Sequence, residues 1–228
     1  MNIPTRQTNG NSGRAYGGIA QQQRKAERRA KLLEAATRLY GSQGYAATTM
    51  KGICAEAKLT ERYFYESFNN TEELLCAAYV QEANRLREKM HAAIQAAPQQ
   101  PELRARIGLG VYFQGITESP TRARLLLIEI TGVCARGDQL YYQDMQQSAA
   151  ELLSLVLSEG RQPPAGLSAT LLSRGYMGAV YQLAREWVLG DCQESAEVLV
   201  RHCMALFLGL LQQWQSDGSQ LNAALTKD

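Results

Sequence analysis

Histidine is almost missing: His91 and His202 are the only two in 228 residues. Neither stands at a ligand spacing from a cysteine or from the other, which argues against a zinc site and leaves little for acid–base chemistry. The five cysteines, Cys54, Cys76, Cys134, Cys192 and Cys203, are odd in number and contain no C-x-x-C pair. They read as small apolar residues in a reducing compartment, not as a disulfide framework. The longest apolar runs, Leu125–Ile128 and Met204–Leu211 with its one glycine, fall far short of the roughly 18 residues of a membrane helix. Met1–Gln23 lacks the apolar centre of a secretory signal. No nucleotide-binding G-x-x-x-x-G-K-[ST], nucleophile G-x-S-x-G or zinc-protease H-E-x-x-H occurs, and Gly108-x-Gly110 has no strand before it. The expectation is a cytoplasmic protein, neither enzyme nor membrane protein, that needs no metal and no cofactor.

What is present is ordinary in amount and uneven in arrangement. Apolar residues make up 45% and charged residues 20%, enough for a folded chain of one or two domains. Residues 1–65 hold eleven Lys/Arg against four Asp/Glu, and the remainder thirteen against eighteen. A basic front on an acidic body suggests a polyanion partner for the front; a solvated basic helix face explains the same count.

Only six prolines occur, all outside helical windows or at their starts, and period-two alternation is scarce. The chain therefore reads as all-α. Residues 1–22, with four glycines and no periodicity, are expected as a disordered tail. A first helix over about 22–40 carries Leu32, Leu33, Ala36, Leu39 and Tyr40 in one stripe, with Gly41 and Gly44 expected to end it. A short helix over 49–56 follows, capped by Thr48 or Thr49, then a tight turn at Lys58–Thr60. Thr60 can cap a second short helix over 61–67, with Phe64 and Phe68 on its rear. Asn70 and Glu73 have the spacing of a capping box for a long helix.

Two short helices joined by a three- to four-residue turn form a helix-turn-helix candidate, whose second helix must offer polar side chains to a major groove while its rear grips a small core. Glu61, Arg62, Tyr63 and Tyr65 fall outward, ringed by Lys51, Lys58 and the basic cluster of residues 24–31. Over residues 28–79 the chain resembles the DNA-binding domain of the TetR family of transcriptional regulators. The residues carrying the resemblance are Gly44-Tyr45, Thr48-Thr49, Ile53-Cys54, Thr60, Tyr65 through Phe68, and Glu72-Glu73-Leu74.

The resemblance implies an N-terminal three-helix helix-turn-helix domain at 23–70, with its motif at 49–68, and a larger C-terminal helical domain at 71–228 that binds ligand and dimerises. By position it implies phosphate contacts from Thr49 and Tyr65, base or sugar contacts from Arg62 and Tyr63, and flanking roles for Thr60 and Glu61. Thr48, Lys51 and Lys58 join this DNA-contacting set, and the backbone N–H groups at Asn70 and Thr71 can hold one more phosphate. Lys58 stands where the family has glycine, Thr71 where it often has lysine, and Arg62-Tyr63 where it has a small Gly-Thr pair. If that glycine needs a positive φ, Lys58 adopts it at some cost or the turn differs.

Beyond residue 100 the sequence gives helices without motifs, expected at 101–118, 120–134, 138–159, 168–190 and 194–216. The last two carry apolar residues on more than one side, which suggests one face for the subunit's core and another for a two-fold partner. The resemblance implies a small-molecule effector among the middle helices, and the tyrosine-rich set there suggests an apolar or aromatic one, with candidates Tyr112, Phe113, Glu129, Tyr141, Tyr142, Met145, Arg174, Tyr176, Met177 and Tyr181. Each has a core reading too; for Glu129, a salt bridge to Arg122, Arg124 or Arg174 is preferred. The expected whole is a ligand-responsive homodimeric regulator, a repressor of a pseudo-palindromic double-stranded operator. The alternative is a protein of the same fold acting as activator or without DNA binding.

Overall fold

The computed structural model describes residues 12–157 and 163–215, of which 12–20 and 215 are described by their backbone alone. Among these residues the chain is helical throughout, without a strand. The helices are α1 (Ser12–Gln43), α2 (Met50–Glu56), α3 (Glu61–Tyr65), α4 (Thr71–Ala96), α5 (Pro101–Glu118), α6 (Pro120–Arg124), α7 (Ala135–Leu157), α8 (Ala169–Leu189) and α9 (Ala196–Gln215).

The expected tail at 1–22 needs correction in its second half. Residues 1–11 lie outside the described residues, but 12–22 are the opening turns of α1. Adding residues to an established helix needs no new nucleus, so even glycine-bearing sequence can continue it. The far end also differs. Gly41 sits inside α1, and only Gly44, at φ +85°, takes the left-handed conformation that ends it. Gly41 serves packing: a Cβ there would lie 2.1 Å from the Thr121 carbonyl oxygen, so its hydrogen lets α1 and α6 meet backbone to backbone.

Capping residues set the next boundaries. The Thr49 hydroxyl accepts the Gly52 N–H at 3.1 Å and starts α2. Thr60 precedes α3 without a side-chain cap bond, contrary to expectation; its carbonyl accepts the Tyr63 N–H instead. The Asn70 side chain accepts the Glu73 N–H at 2.8 Å and opens α4, while the Glu73 carboxylate reaches one residue past the usual box to take the Asn69 N–H, also at 2.8 Å.

The helix expected at 120–134 is interrupted. After Arg124 the backbone widens into a π-turn over Leu125–Glu129. Arg185 of α8 donates from Nη1 to the Leu127 carbonyl at 2.5 Å, holding that carbonyl from outside the segment.

Two apolar cores result. The first gathers Leu32, Ala36 and Tyr40 of α1, Ile53, Phe64 and Phe68 of the helix-turn-helix, and Leu74, Leu75 and Tyr79 of α4. Leu125 and Ile130 enter this core as well. The second is built around Phe113, Val180, Trp187, Cys203 and Phe207 from α5, α8 and α9. Leu86 and Met90 of α4 pack against it, so α4 serves both cores, and the boundary expected between residues 70 and 71 falls at the start of this shared helix.

Candidate nucleic-acid interface and ligand cavity

The helix-turn-helix is anchored from behind. Ile53, Phe64 and Phe68 are fully buried, and the two phenylalanine rings stand 6.0 Å apart. An α-helix turns about 100° per residue, so burying Phe64 sends Arg62, two positions earlier, to the opposite side. Glu61 is exposed, the Arg62 side chain is 84% exposed and Tyr65 61% exposed. Glu66 lies within 3.4 Å of the Arg62 guanidinium, a surface pair that a phosphate or a base edge can displace at small cost. Lys51 and Lys58 are exposed on either side.

Lys58 adopts φ +54°. It takes the left-handed conformation by itself, and its N–H still finds the Ala55 carbonyl at 3.1 Å. The turn is thus kept at the cost of backbone strain in an L-residue.

One expected contact residue, Thr48, is placed otherwise, and the side chains of Thr71 and Tyr63 have partners within the domain. Thr48 is buried, and its hydroxyl donates to the Gly44 carbonyl at 2.7 Å while accepting from the Gln43 amide at 3.1 Å; it closes the α1–α2 loop. The Thr71 hydroxyl is paired with that of Tyr45 at 3.0 Å, and its carbonyl accepts from Tyr40. Tyr63 is half-buried beneath the Arg28 guanidinium, which lies 4.3 Å from its ring centre, so its ring is partly covered on one side. Thr49, Thr60 and Asn70 are exposed, with the Thr49 and Asn70 side chains engaged as caps.

Deeper in the molecule a cavity lies between α4, α5, the π-turn, α7 and α8, with about 810 Å³ of empty space including its open side. A second hollow, of about 1240 Å³ on the same basis, shares Met90, Ile94, Leu109 and Met177 with it and runs on toward Arg104 and Leu155. The two adjoin at these shared residues, and both are largely aliphatic. Polar groups line both parts. Asp144 accepts from the hydroxyls of Tyr181 at 3.1 Å and Tyr79 at 3.4 Å, and is ion-paired with Arg87. His91 and Glu151 pair at 3.2 Å nearer the outer hollow. Burial pushes the phenols of Tyr79, Tyr112 and Tyr181 above their ordinary range, so all three remain neutral hydrogen-bonding groups.

Of the expected ligand residues, Tyr112, Met177 and Tyr181 line the inner cavity and Tyr176 the outer hollow. Tyr176 also donates to the Cys203 carbonyl at 3.1 Å. The others fall elsewhere. Phe113 is fully buried in the second core against Trp187. Tyr142 and Arg174 are exposed, while Tyr141 and Met145 pack against the second core without lining the cavity.

Glu129 is the informative departure. Its carboxylate accepts the Tyr45 N–H at 2.8 Å and pairs with Arg124 Nε at 2.9 Å. It therefore binds the π-turn to the α1–α2 loop of the helix-turn-helix domain. Of the three arginines expected as partners, Arg124 is the one used.

Polar ties between the domains went unread in the sequence. Glu82 of α4 is buried and meets Arg122 of α6 at 3.0 Å, while Arg122 also reaches Glu34 of α1 at 3.7 Å. The available signal was an acidic residue within the apolar stripe of α4, which demands a basic partner somewhere in the fold.

Residues 32–78 match the family model described as bacterial regulatory proteins, tetR family. Over about four fifths of its length the chain is similar in fold to many solved structures, among them these three. The fatty acid degradation regulator FadR of Bacillus halodurans shares 19% identity at a TM-score of 0.70, over 80% of this chain and 95% of that one. FadR of Bacillus subtilis, solved in complex with stearoyl-CoA, shares 16% at 0.68, over 78% and 96%. A TetR-like transcriptional regulator from Rhodococcus sp. RHA1 shares 18% at 0.64, over 78% and 92%.

Proposed function

From the match of residues 32–78 to the tetR-family model and the fold shared with TetR-type regulators, we propose that the chain is a member of that family and a ligand-responsive, homodimeric DNA-binding regulator that represses until a small molecule releases it from its operator. It acts in the cytoplasm and without catalysis. The observation that carries the reading is the exposed surface of α3. Arg62 and Tyr65 are presented to solvent on a helix whose rear is locked by two buried phenylalanines, with Lys51 and Lys58 alongside. Such a surface offers donors for base edges and phosphates together with the positive charge that holds a polyanion.

The outer faces of α8 and α9 support a dimer. Leu171 and Leu189 are exposed on one face of α8 with Gly175 and Gly178, Leu206 is exposed on one flank of α9 with Gly209, and a Cβ added at any of these glycines would meet nothing within 4 Å. An apolar face with glycine gaps suits close helix approach by a second copy, and two heads on one two-fold axis match a pseudo-palindrome.

The cavity and the hollow beside it support a small-molecule effector, and the stearoyl-CoA complex of the B. subtilis neighbour supports one with an apolar chain. The cavity walls include Leu126 and Leu127 of the π-turn and Ala83 and Leu86 of α4, both elements that also hold the helix-turn-helix domain. A ligand that favours a different placement of these elements shifts the separation of the two heads, and operator affinity falls.

Fluorescence anisotropy with DNA flanking the protein's own gene tests the reading. A specific complex that weakens steeply with salt is expected. Arg62→Ala and Tyr65→Ala are expected to abolish it while sedimentation still reports a dimer. Full affinity in both variants overturns the placement of the reading helix.

A further inference from the structure

Two thiols from distant parts of the chain meet. Sγ of Cys76, in the second turn of α4, lies 3.9 Å from Sγ of Cys134, the residue before α7, across 58 positions of sequence. Among the described residues this is the one contact between thiols.

The two sulfurs stand in different settings. Cys76 is 9% exposed, and burial together with the neighbouring thiol pushes it up to about 11. Cys134 is half-buried and flanked by exposed Gly132, Ala135 and Arg136, so small solutes reach it first. Its carbonyl accepts the Asp138 N–H at 3.1 Å and its sulfur the Gly137 N–H at 3.3 Å, which makes it the cap of α7. A thiol is a weak acceptor, and Ser, Thr, Asp or Asn caps a helix better, so capping does not explain cysteine at this position. A backbone N–H at a helix start does suit negative charge on sulfur, the form in which a thiol reacts.

We propose that Cys76 and Cys134 form a modification site for peroxides, at which the pair closes to a reversible disulfide joining α4 to α7. The Cys134 thiolate attacks one peroxide oxygen; an S–O bond forms, the O–O bond breaks, and the leaving hydroxide takes a proton to become water. Cys76 then attacks the resulting sulfenic acid. An S–S bond forms, the S–O bond breaks, and the hydroxyl leaves as water with the Cys76 proton. Two thiols are oxidised by two electrons and one peroxide is reduced to two waters. In a reducing compartment such a disulfide is transient, which suits a sensor and not a staple.

The bond has a mechanical consequence. The sulfurs must close from 3.9 Å to roughly 2.05 Å, so α4 or the start of α7 shifts. The neighbours of Cys76 on α4, Leu74 and Leu75, pack in the core of the helix-turn-helix. Oxidation therefore moves the reading head relative to α7 and lowers operator affinity; this last step rests on the operator reading above, and the thiol chemistry does not.

The test treats the reduced full-length protein with hydrogen peroxide and maps its peptides by mass spectrometry. A crosslink between Cys76 and Cys134 is expected, and dithiothreitol should remove it. In Cys76→Ser, dimedone should label Cys134; in Cys134→Ser, Cys76 should stay unlabelled at the same dose. Absence of the crosslink in the wild type overturns the proposal, whether or not either variant folds. So does equal crosslinking through Cys54, Cys192 or Cys203, or dimedone labelling of Cys76 in Cys134→Ser as fast as that of Cys134 in Cys76→Ser. Oxidised wild type is expected to bind operator at least threefold more weakly and to recover in dithiothreitol, with both serine variants insensitive. A crosslink that leaves operator affinity unchanged refutes redox control while the modification site stands. Absence of any specific DNA complex in the reduced protein refutes the operator reading instead.

Discussion

Cutting Glu129 back to alanine removes two bonds made by one carboxylate, and their different settings give the cost. The bond from the Tyr45 N–H, at 2.8 Å, joins a backbone donor to an ion that is only 11% exposed. Hydrogen bonds to charged groups contribute about 1.5–3 kcal/mol, and the N–H is left without its acceptor when the carboxylate goes. Arg124, at 2.9 Å, is 44% exposed. That bond has surface character and contributes about 0.2–1 kcal/mol. Glu129→Ala should therefore cost roughly 2–4 kcal/mol, and at about 2–4 °C per kcal/mol for a chain of this size the melting temperature should fall by about 4–16 °C. Glu129→Gln keeps an acceptor for Tyr45 and should lose about half as much. Arg124→Ala should lose under about 1 kcal/mol. Hydrogen exchange supplies the local readout: the Tyr45 amide should lose protection in the alanine variant, before the amides of α8 do. A loss below about 0.5 kcal/mol with Tyr45 protection unchanged would refute the role of Glu129 as a tie between the π-turn and the helix-turn-helix domain.

Further outcomes follow from single positions. Lys58→Gly removes the side chain from a φ of +54° and should stabilise the isolated protein by about 0.5–1 kcal/mol in urea unfolding; if Lys58 also meets a phosphate, the salt slope of operator binding should drop by about one. Leu206→Glu places a charge on the open face of α9, where the leucine is 50% exposed, and sedimentation should report monomers with an unchanged helical signal. Alkaline stability should reflect the fully buried Cys203, whose thiol burial pushes up to about 11 from the ordinary 9.0. The unfolded chain releases this proton first, so between those values stability should fall with rising pH by about 1.4 kcal/mol per unit from this thiol alone, and Cys203→Ala should flatten that part of the denaturation profile.

The helices were legible because their signals are local. Apolar spacing, caps at Thr49 and Asn70, and proline at the starts of α5 and α6 placed most boundaries within a few residues. The inward turn of Phe64 and Phe68 followed from spacing alone. What escaped depends on residues distant in sequence. Gly41 looked like a terminator because glycine ends helices, but its reason is the Thr121 backbone some eighty positions on. Thr48 was expected as a contact because it belongs to the Thr48-Thr49 pair of the resemblance, whereas the loop turns its hydroxyl back onto Gly44. The π-turn has no signature within Leu125–Glu129 itself; its widened carbonyl is held by Arg185. Glu129 was readable as a carboxylate in need of a partner, and only the packing of the domains shows that a backbone N–H also fills that need. The cavity was the least readable, because tyrosines at helical spacing line a void or fill a core with equal ease.

Because α4 runs unbroken for 26 residues, it acts as a rod about 39 Å long. Pivoted at its far end by only about 5°, it would carry its first turn through about 3.4 Å, one base-pair step along DNA. In the proposed two-fold dimer the displacement would double. If the chain is the ligand-responsive regulator proposed above, a ligand would need do no more than lean on one end of this rod for two well-formed reading heads to fall out of step with the groove, each still perfectly folded.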